Sequence, residues 1–241
     1  MLPFEVLLPL GAVGFYLYDS LLLLFGNEML FVRTRQGWRV VEASRQRLLG
    51  RRLCLLNLVL PHWPVFRVAV SARQILAERG AVPDQGPFLL ALRGPGACAA
   101  LLLVLIAVVL PFVSIGLGAG PVLLAVFAAC YGVAAIAASI IFMRRDVLAL
   151  SGRAFTGVAL DALLCPPFGV NIVRKLSLRR ELGCSPLDFA RAHFDATTLS
   201  EFRGILTRML RDADADSILP VEAASSRSRC LAMLEDPSTW R

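Results

Sequence analysis

The sequence predicts a mainly α-helical membrane protein with three transmembrane helices, a small cytoplasmic β-containing segment, a re-entrant or interfacial broken helix and a helical C-terminal tail. Residues 98–143 carry no charged side chain and are long enough for two membrane spans joined by a Gly/Pro turn. Hydrophobic residues make up 57% of the 241 residues. That share is higher than in most water-soluble domains. The excess lies in separate blocks, so the stretches between them are assigned to soluble parts.

Changes in composition along the chain divide it into five segments. The division follows the apolar blocks and the charged stretches that separate them. The segments are a transmembrane helix in 1–26, a cytoplasmic membrane-proximal segment, partly β, in 27–97, a transmembrane helical hairpin in 98–143, an interfacial or re-entrant broken helix in 144–184, and a cytoplasmic helical tail in 185–241.

The first predicted span covers residues 4–25, since about 20 apolar residues cross a bilayer core. It has neither a basic leading region nor a clear small-residue cleavage site, so we expect a retained span rather than a signal peptide. Asp19 lies inside it. A carboxylate within a membrane is costly unless paired, which makes Asp19 a candidate functional residue. The alternative is a structural role, in which Asp19 pairs with an arginine or a helix terminus near the interface.

The segment that follows is predicted to contain β-structure. Residues 28–42 form two short β-prone runs around Gln36-Gly37, a pattern typical of a hairpin. Residues 53–70 are interrupted by a Pro-His-Trp-Pro sequence and would place Arg67 in the bilayer centre if they crossed it. We therefore expect a unit against the membrane surface, while an interfacial or re-entrant 53–70 stays open. The predicted anchors at head-group level are Trp38, Trp63 and Phe66.

The third predicted span carries small residues at a spacing of 3, 4, 3 and 4. Small side chains let helix backbones approach closely in lipid, where van der Waals contact drives association. We expect this seam to pack on span one or two of the same chain, with a homo-oligomer as the alternative. The seam consists of Ala125, Ala128, Gly132, Ala135 and Ser139.

Residues 154–173 form a fourth apolar stretch that is interrupted by polar residues and prolines. If it crossed the membrane, the basic residues after it would lie on the far side, against the positive-inside rule. The sequence instead favours a helix, a Pro-Pro break and a second helix at or dipping into the inner surface, with a segment that crosses the membrane as the alternative. The candidate functional residues here are Asp161, Cys165, Pro166, Pro167 and Asn171.

The tail has the pattern of soluble helices. Ser185 before Pro186 predicts one helix start, and Thr198 with Glu201 matches a capping box. Residues 212–216, Asp-Ala-Asp-Ala-Asp, lack the glycine and the distal glutamate of a calcium loop, so we assign them to a solvated helix end. A further short helix is predicted around 220–234. One face of the second helix is apolar: Leu199, Phe202, Ile205, Leu206, Met209 and Leu210.

Charge predicts the orientation and the partners. The net charge is +7, and Lys175 is the only lysine among 25 basic residues. Arginines follow spans one and three, whereas the turn between spans two and three has none, so the N-terminus is expected outside and the C-terminus in the cytoplasm. The arginine-rich composition is typical of a GC-rich bacterial genome, which indicates the inner membrane. The expected partner is the lipid bilayer, including anionic head groups; the spread of the arginines argues against nucleic acid.

The chain contains no recognisable catalytic, cofactor or metal motif. It has no H-E-x-x-H, P-loop, G-x-S-x-G or dinucleotide fingerprint, and its six cysteines include no C-x-x-C pair. We therefore predict no metal, no cofactor and no catalytic residue. The one catalytic pair that can be assembled is Asp161 with Cys165, four residues apart, and its thiol would need a lowered pKa.

Together these patterns favour a non-enzymatic anchor or scaffold of the bacterial inner membrane. It would dock a cytoplasmic partner or organise the membrane surface. An alternative is an oligomeric transporter or channel component that uses the broken helix 154–173. A second alternative is a membrane enzyme acting on lipid through Cys165.

Overall fold

The computed structural model describes residues 3–44, 46–71, 80–117, 120–215 and 228–234. These residues are mostly helical and include two small sheets. They belong to two compact units, each assembled from stretches that are distant in sequence. The first unit comprises Met1–Leu22, Leu55–Pro64 and Gln85–Arg179; the second comprises Leu23–Cys54, Val65–Asp84 and Arg180–Arg241.

The first unit is built from helices. The longest two are apolar throughout their middle parts, and the others are shorter. In chain order the helices are α1 (Phe4–Asp19), α2 (Gly86–Ala91), α3 (Arg93–Gly116), α4 (Pro121–Met143), α5 (Gly152–Leu164), α6 (Pro166–Gly169) and α7 (Ile172–Leu178).

Helices α3 and α4 are long and apolar enough to cross a membrane. They run antiparallel, because Gly94 at the start of α3 lies against Ile140 near the end of α4: a Cβ atom on Gly94 would be 3.0 Å from Cγ2 of Ile140. A turn of π-helix, Leu105–Val109, precedes Pro111, whose ring nitrogen has no hydrogen to donate within the helix. The two predicted spans of 98–143 therefore correspond to two long helices.

Most of the surface of these two helices faces outward. Only about one third of each apolar stretch is buried within the chain. Many outward side chains on both helices are large and apolar, whereas a core helix of a soluble protein would bury them. They include Leu101, Val104, Val108, Phe112 and Ile115 on α3, and Val122, Leu124, Tyr131, Ile136 and Phe142 on α4.

Helix α1 is shorter than the predicted first span. Its 16 residues end at Asp19 and cover about 24 Å, less than the ~30 Å of a bilayer core. The hydroxyl of Ser20 donates to the carbonyl of Tyr16, and the leucines at 21–24 form a strand instead of continuing the helix. Two helices of spanning length are thus present among the described residues, rather than three.

Helix α1 runs antiparallel to α3. The hydroxyl of Ser114 donates to the carbonyl of Glu5 at 2.5 Å, which joins the start of α1 to the far end of α3. At the other end of α1, Tyr16 shares an apolar cluster with Leu102 and Ile106. The start of α1 therefore lies beside the C-terminal end of α3.

Helices α5 to α7 form the broken segment. Ser151 caps α5 by accepting from the amide of Ala154 at 3.2 Å, and the helix stops before Cys165, where the Pro-Pro pair begins α6. The rings of Phe142 and Phe155 lie 5.4 Å apart, so α5 starts beside the end of α4. This arrangement has the helix, break and helix order that the prolines predict.

The broken segment extends along the hairpin and returns. Gly169 lies against Leu102 of α3, whereas Val173 lies against Gly96. Six residues of α3 separate these two positions, about 9 Å along the helix. The break is therefore the part of the segment that lies furthest from Arg93, the first residue of α3.

Within the described residues, six strands form two three-stranded sheets, of order β1-β5-β4 and β3-β2-β6. The predicted hairpin is confirmed: the second and third strands pair antiparallel, with Arg33 opposite Trp38. Gly37 in its turn has a φ of 146°, a value that L side chains rarely adopt. The strands are β1 (Leu21–Leu24), β2 (Glu28–Arg33), β3 (Trp38–Val41), β4 (Arg47–Leu48), β5 (Arg51–Leu55) and β6 (Val65–Ala69).

The second unit has an aromatic core between the sheet β3-β2-β6 and helices α8 (Pro186–His193) and α9 (Ala196–Ala215). The ring of Phe31 lies 5.5 Å from Phe189 and 5.0 Å from Phe194. The prediction that Trp38 and Phe66 anchor the unit in head groups is wrong, because both side chains are buried in this core. The predicted apolar face of α9 is largely buried as well: Phe202, Ile205, Leu206, Met209 and Leu210.

The cap of α9 differs from the prediction. The helix begins at Ala196, and Asp195 accepts from the amide of Thr198 at 2.7 Å. Thr198 is buried in the first turn and donates to the carbonyl of Trp38, so it is not the capping residue. Helix α9 continues to Ala215. Of the helix predicted around 220–234, residues 228–234 are helical and the rest lies outside the described residues.

Candidate functional site at the helix break

Lys175, the only lysine of the chain, lies between the two aspartates that the sequence singles out. Its Nζ atom is 3.0 Å from Oδ1 of Asp19, at the end of α1, and 3.4 Å from Oδ2 of Asp161 on α5. It also lies 4.9 Å from the ring centre of Phe168. Residues that are 14 and 156 positions away in sequence thus meet at one ammonium group.

Asn171 extends this cluster at the joint between α6 and α7. Its Nδ2 donates to Oδ2 of Asp19 at 3.2 Å and to the hydroxyl of Ser20 at 2.9 Å. Its Oδ1 accepts from Nη1 of Arg174 at 3.0 Å. The side chain is almost fully buried. Because an unpaired buried amide is costly, these three bonds fix the end of α1 against α7.

Arg174 is the most deeply buried charge in this cluster, with 3% of the residue exposed. Its Nη2 donates to the carbonyl of Asn57 and, at 3.3 Å, to that of Leu60. The hydroxyl of Tyr16 donates to the carbonyl of Leu58 between them. Burial lowers the pKa of the Arg174 guanidinium. A guanidinium nevertheless stays charged at neutral pH, so it can hold this loop by charge-assisted bonds.

The cluster lies well inside the length of the hairpin. Glu5 is level with Ser114 on α3, and Asp19 follows 14 residues later, about 21 Å back along α1. That position corresponds to the level of Ala100, roughly 10 Å from the Arg93 end of α3. The positive charges of Arg174 and Lys175 balance the negative charges of Asp19 and Asp161, which reduces the cost of placing ions in an apolar surrounding.

The other predicted residues of the break serve mainly in the backbone. The amide of Cys165 donates to the carbonyl of Asp161 at 3.2 Å, and Pro166 and Pro167 begin α6. Burial raises the pKa of the Cys165 thiol, which is the opposite of what a nucleophile needs. Among the described residues, no group of His, Cys, Asp and Glu side chains could hold a metal ion.

The small-residue seam lies on the outward face of α4. All five seam residues are exposed, and a Cβ atom on Gly132 would meet nothing within 4 Å. The expected packing on span one or two is wrong for the described residues, because α4 packs through its opposite face, where larger side chains add apolar contact. That buried face comprises Leu123, Val126, Cys130, Ala134, Ala137, Ala138 and Ile141.

Sequence reasoning identified the acidic and amide groups of the cluster but missed its two basic partners. Arg174 and Lys175 follow the apolar stretch directly and were assigned to a basic flank. The sequence feature that could have indicated them is Lys175 itself, the single lysine in an arginine-rich chain. No protein family, curated protein or solved structure matches this chain.

Proposed function

We propose that this chain is a non-enzymatic anchor of the bacterial inner membrane, and that its second unit docks a cytoplasmic partner. The N-terminus lies outside and the C-terminus in the cytoplasm. The lipid bilayer, with anionic head groups on the inner side, surrounds the first unit. The second unit is the part that a soluble partner can reach.

The outward faces of α3 and α4 carry this proposal. Large apolar side chains lie on both faces, from Leu101 to Ile115 on α3 and from Val122 to Phe142 on α4, a surface that a water-soluble monomer rarely exposes. In lipid the same surface needs no further cover. Each helix is also long enough to span the hydrocarbon core.

The distribution of arginines supports the orientation. Arg93 begins α3 and Arg144 follows α4, and the contact between Gly94 and Ile140 places both at one end of the hairpin. Arg153 belongs to the same end, because Phe155 packs on Phe142. The opposite turn has no charge, so the positive-inside rule places it outside.

The bonding of the cluster supports a structural rather than a catalytic role. Lys175 pairs with both aspartates, and Arg174 bonds an amide and two carbonyls. Polar groups that are occupied in this way hold elements together and are not poised to act on a substrate. The raised pKa of the Cys165 thiol does not favour the lipid-enzyme alternative.

Affinity purification of the full-length protein in mild detergent tests the docking role. We expect a cytoplasmic protein to copurify at constant stoichiometry and to be released by a competing excess of untagged chain. An unrelated bacterial membrane protein with the same tag serves as the control. A monodisperse chain without a partner, from cells grown under several conditions, would contradict the docking role.

A second candidate function is an oligomeric transporter or channel component that uses the broken helix. It is favoured by the meeting of Asp19 and Asp161 at Lys175, since charged groups beside a helix break occur in transport sites. The side chain of Asp161 is also half exposed, at 51%. In proteoliposomes, Asp19→Asn and Asp161→Asn should each abolish proton or cation flux. Unchanged flux in both variants, or no flux in the wild type, would contradict this candidate.

A further inference from the structure

The hairpin formed by β4 and β5 ends in a two-residue turn of Leu49 and Gly50. Leu48 pairs with Arg51 on the opposite strand, which leaves only these two residues to close the hairpin. Their φ angles are 53° and 76°, both in the left-handed region. Such turns favour Asn or Gly at both positions, because other side chains are strained there.

Leu49 is unfavourable for a second reason. Its side chain is 89% exposed, and Leu48 beside it is 53% exposed. Single exposed leucines are common on protein surfaces, but two in sequence at a strained turn are not explained by the fold. A leucine at this tip has a strained backbone and exposes its apolar side chain to water, so neither local conformation nor solvation favours it.

Basic and aromatic groups lie beside the two leucines. Arg47 and Arg51 are exposed on the two strands. The guanidinium of Arg51 lies 4.5 Å from the ring centre of Phe25, which is itself 47% exposed. Glu42, an acidic group close to this hairpin, is engaged by Arg52 at 3.8 Å and by Arg208 at 2.8 Å. The tip is thus apolar and its flanks are positive.

We propose that this tip inserts into the surface of an anionic lipid bilayer. Leu48 and Leu49 enter the boundary between head groups and acyl chains, while Arg47 and Arg51 contact lipid phosphates. Burial of the leucines and attraction of the arginines act together, as in other interfacial segments. A narrow convex tip fits a deformable lipid surface better than a pocket on a folded protein.

The sequence assigned contact with lipid head groups to residues other than this tip. Trp38 and Phe66, two of the three predicted head-group anchors, belong to the core of the second unit. The inference rests on the proposed membrane anchoring, because a unit tethered by its own chain meets lipid at a high effective concentration. Two leucines alone would give only weak binding to an untethered protein.

Quenching of tryptophan fluorescence by brominated acyl chains tests the insertion. The full-length Leu49→Trp variant is placed in nanodiscs of phosphatidylglycerol with and without bromine, and wild-type fluorescence is subtracted. We expect loss of most of the added emission. Gln36→Trp, at the exposed turn between β2 and β3, is the matched control and should keep its emission. Leu48→Trp has an ordinary backbone conformation and repeats the test if Leu49→Trp folds poorly.

Three comparisons decide the outcome. Insertion driven by anionic lipid is supported if a tryptophan at position 49 or 48 is quenched in brominated phosphatidylglycerol nanodiscs. This quenching should be weaker in brominated phosphatidylcholine nanodiscs or when Arg51→Gln is added. Quenching no greater than in Gln36→Trp overturns the proposal, including the case in which a protein covers the tip. Carbonate extraction of the wild type separates the two ideas: a protein that is released fails as an anchor, whereas a retained protein with an unquenched tip fails only here.

Discussion

The Nζ atom of Lys175 lies 3.0 Å from Oδ1 of Asp19 and so joins α7 to the last residue of α1. The same atom is 3.4 Å from Asp161 on α5. One side chain therefore connects three helices of the first unit. Because both carboxylates pair with this one ammonium group, substituting Lys175 should destabilise the fold more than substituting either Asp19 or Asp161.

Lys175→Met should be the most destabilising change at this cluster. It leaves two carboxylates near each other without their cation, whereas Asp19→Asn leaves Lys175 paired with Asp161. We expect a loss of about 2–3 kcal/mol for Lys175→Met and about 1–2 kcal/mol for Asp19→Asn, between the values for buried and surface pairs. Asp161→Asn should cost least, since that carboxylate is half exposed. Thermal unfolding in detergent micelles measures all three.

Removing one pair of opposite charges provides the control for this order. A double variant of Asp161→Asn and Lys175→Met keeps the cluster balanced, with Arg174 positive and Asp19 negative. It should unfold at a higher temperature than Lys175→Met alone, because non-additivity is expected of groups in one network. Additive losses in the double variant would show that the ion pairs do not couple the helices.

Arg174→Met should loosen the loop at 56–60. The change removes the donors to the carbonyls of Asn57 and Leu60 and to Asn171, and the buried acceptors that remain should together cost about 3 kcal/mol or more. Hydrogen–deuterium exchange of 56–60 should accelerate. Arg179→Met is the matched control: this exposed arginine bonds one carbonyl, that of Ala154, at 3.0 Å. Equal exchange rates of residues 56–60 in the two variants would show that Arg174 does not hold this loop.

Gly169 and Gly132 should respond oppositely to added volume. A Cβ atom on Gly169 would lie 3.0 Å from Cδ1 of Leu102 and 3.4 Å from Cβ of Ala162. Gly169→Leu should therefore cost about 1–3 kcal/mol through overpacking. Gly132→Leu points into open space and should leave the stability of the single chain nearly unchanged.

The oligomeric state of Gly132→Leu tests the seam separately. If α4 pairs with a second copy through its small residues, this variant should lose the oligomer in size-exclusion light scattering while α1 to α7 stay folded. A wild-type oligomer that survives the change would rule out the seam as its interface. A monomeric wild type would remove the oligomeric transporter from consideration.

Leu49→Gly should stabilise the second unit. Glycine adopts the left-handed conformation of this turn without strain, which should gain about 0.5–1 kcal/mol after the entropy of the unfolded chain is included. Leu48→Gly removes the same side chain from an ordinary strand position and should lose a similar amount. Chemical denaturation followed by the tryptophan fluorescence of each variant compares the two. A loss in both variants would show that the turn stores no strain.

The sequence predicts local features of this fold better than contacts between distant segments. Residues 98–143 and the Pro-Pro pair give two long helices and a helix break because composition and proline geometry act locally. The meeting of Asp19 with Lys175 depends on how α1 packs against α7, which no local pattern encodes. Trp38 was misassigned for the same reason, since it is buried by helices that begin nearly 150 residues later. The sequence does not predict the turn at Leu49 and Gly50, because Leu-Gly is not a recognised turn signal.

Topology mapping with reporter fusions tests the membrane arrangement most directly. Alkaline phosphatase, active only outside the cytoplasm, and a fluorescent protein, active only inside it, are fused in turn after Gly80, Ala119, Leu178 and Glu235. We expect phosphatase activity at Ala119 alone and fluorescence at the other three positions. Fluorescence at Ala119, or Gly80 and Ala119 on the same side of the membrane, would contradict a spanning α3–α4 hairpin.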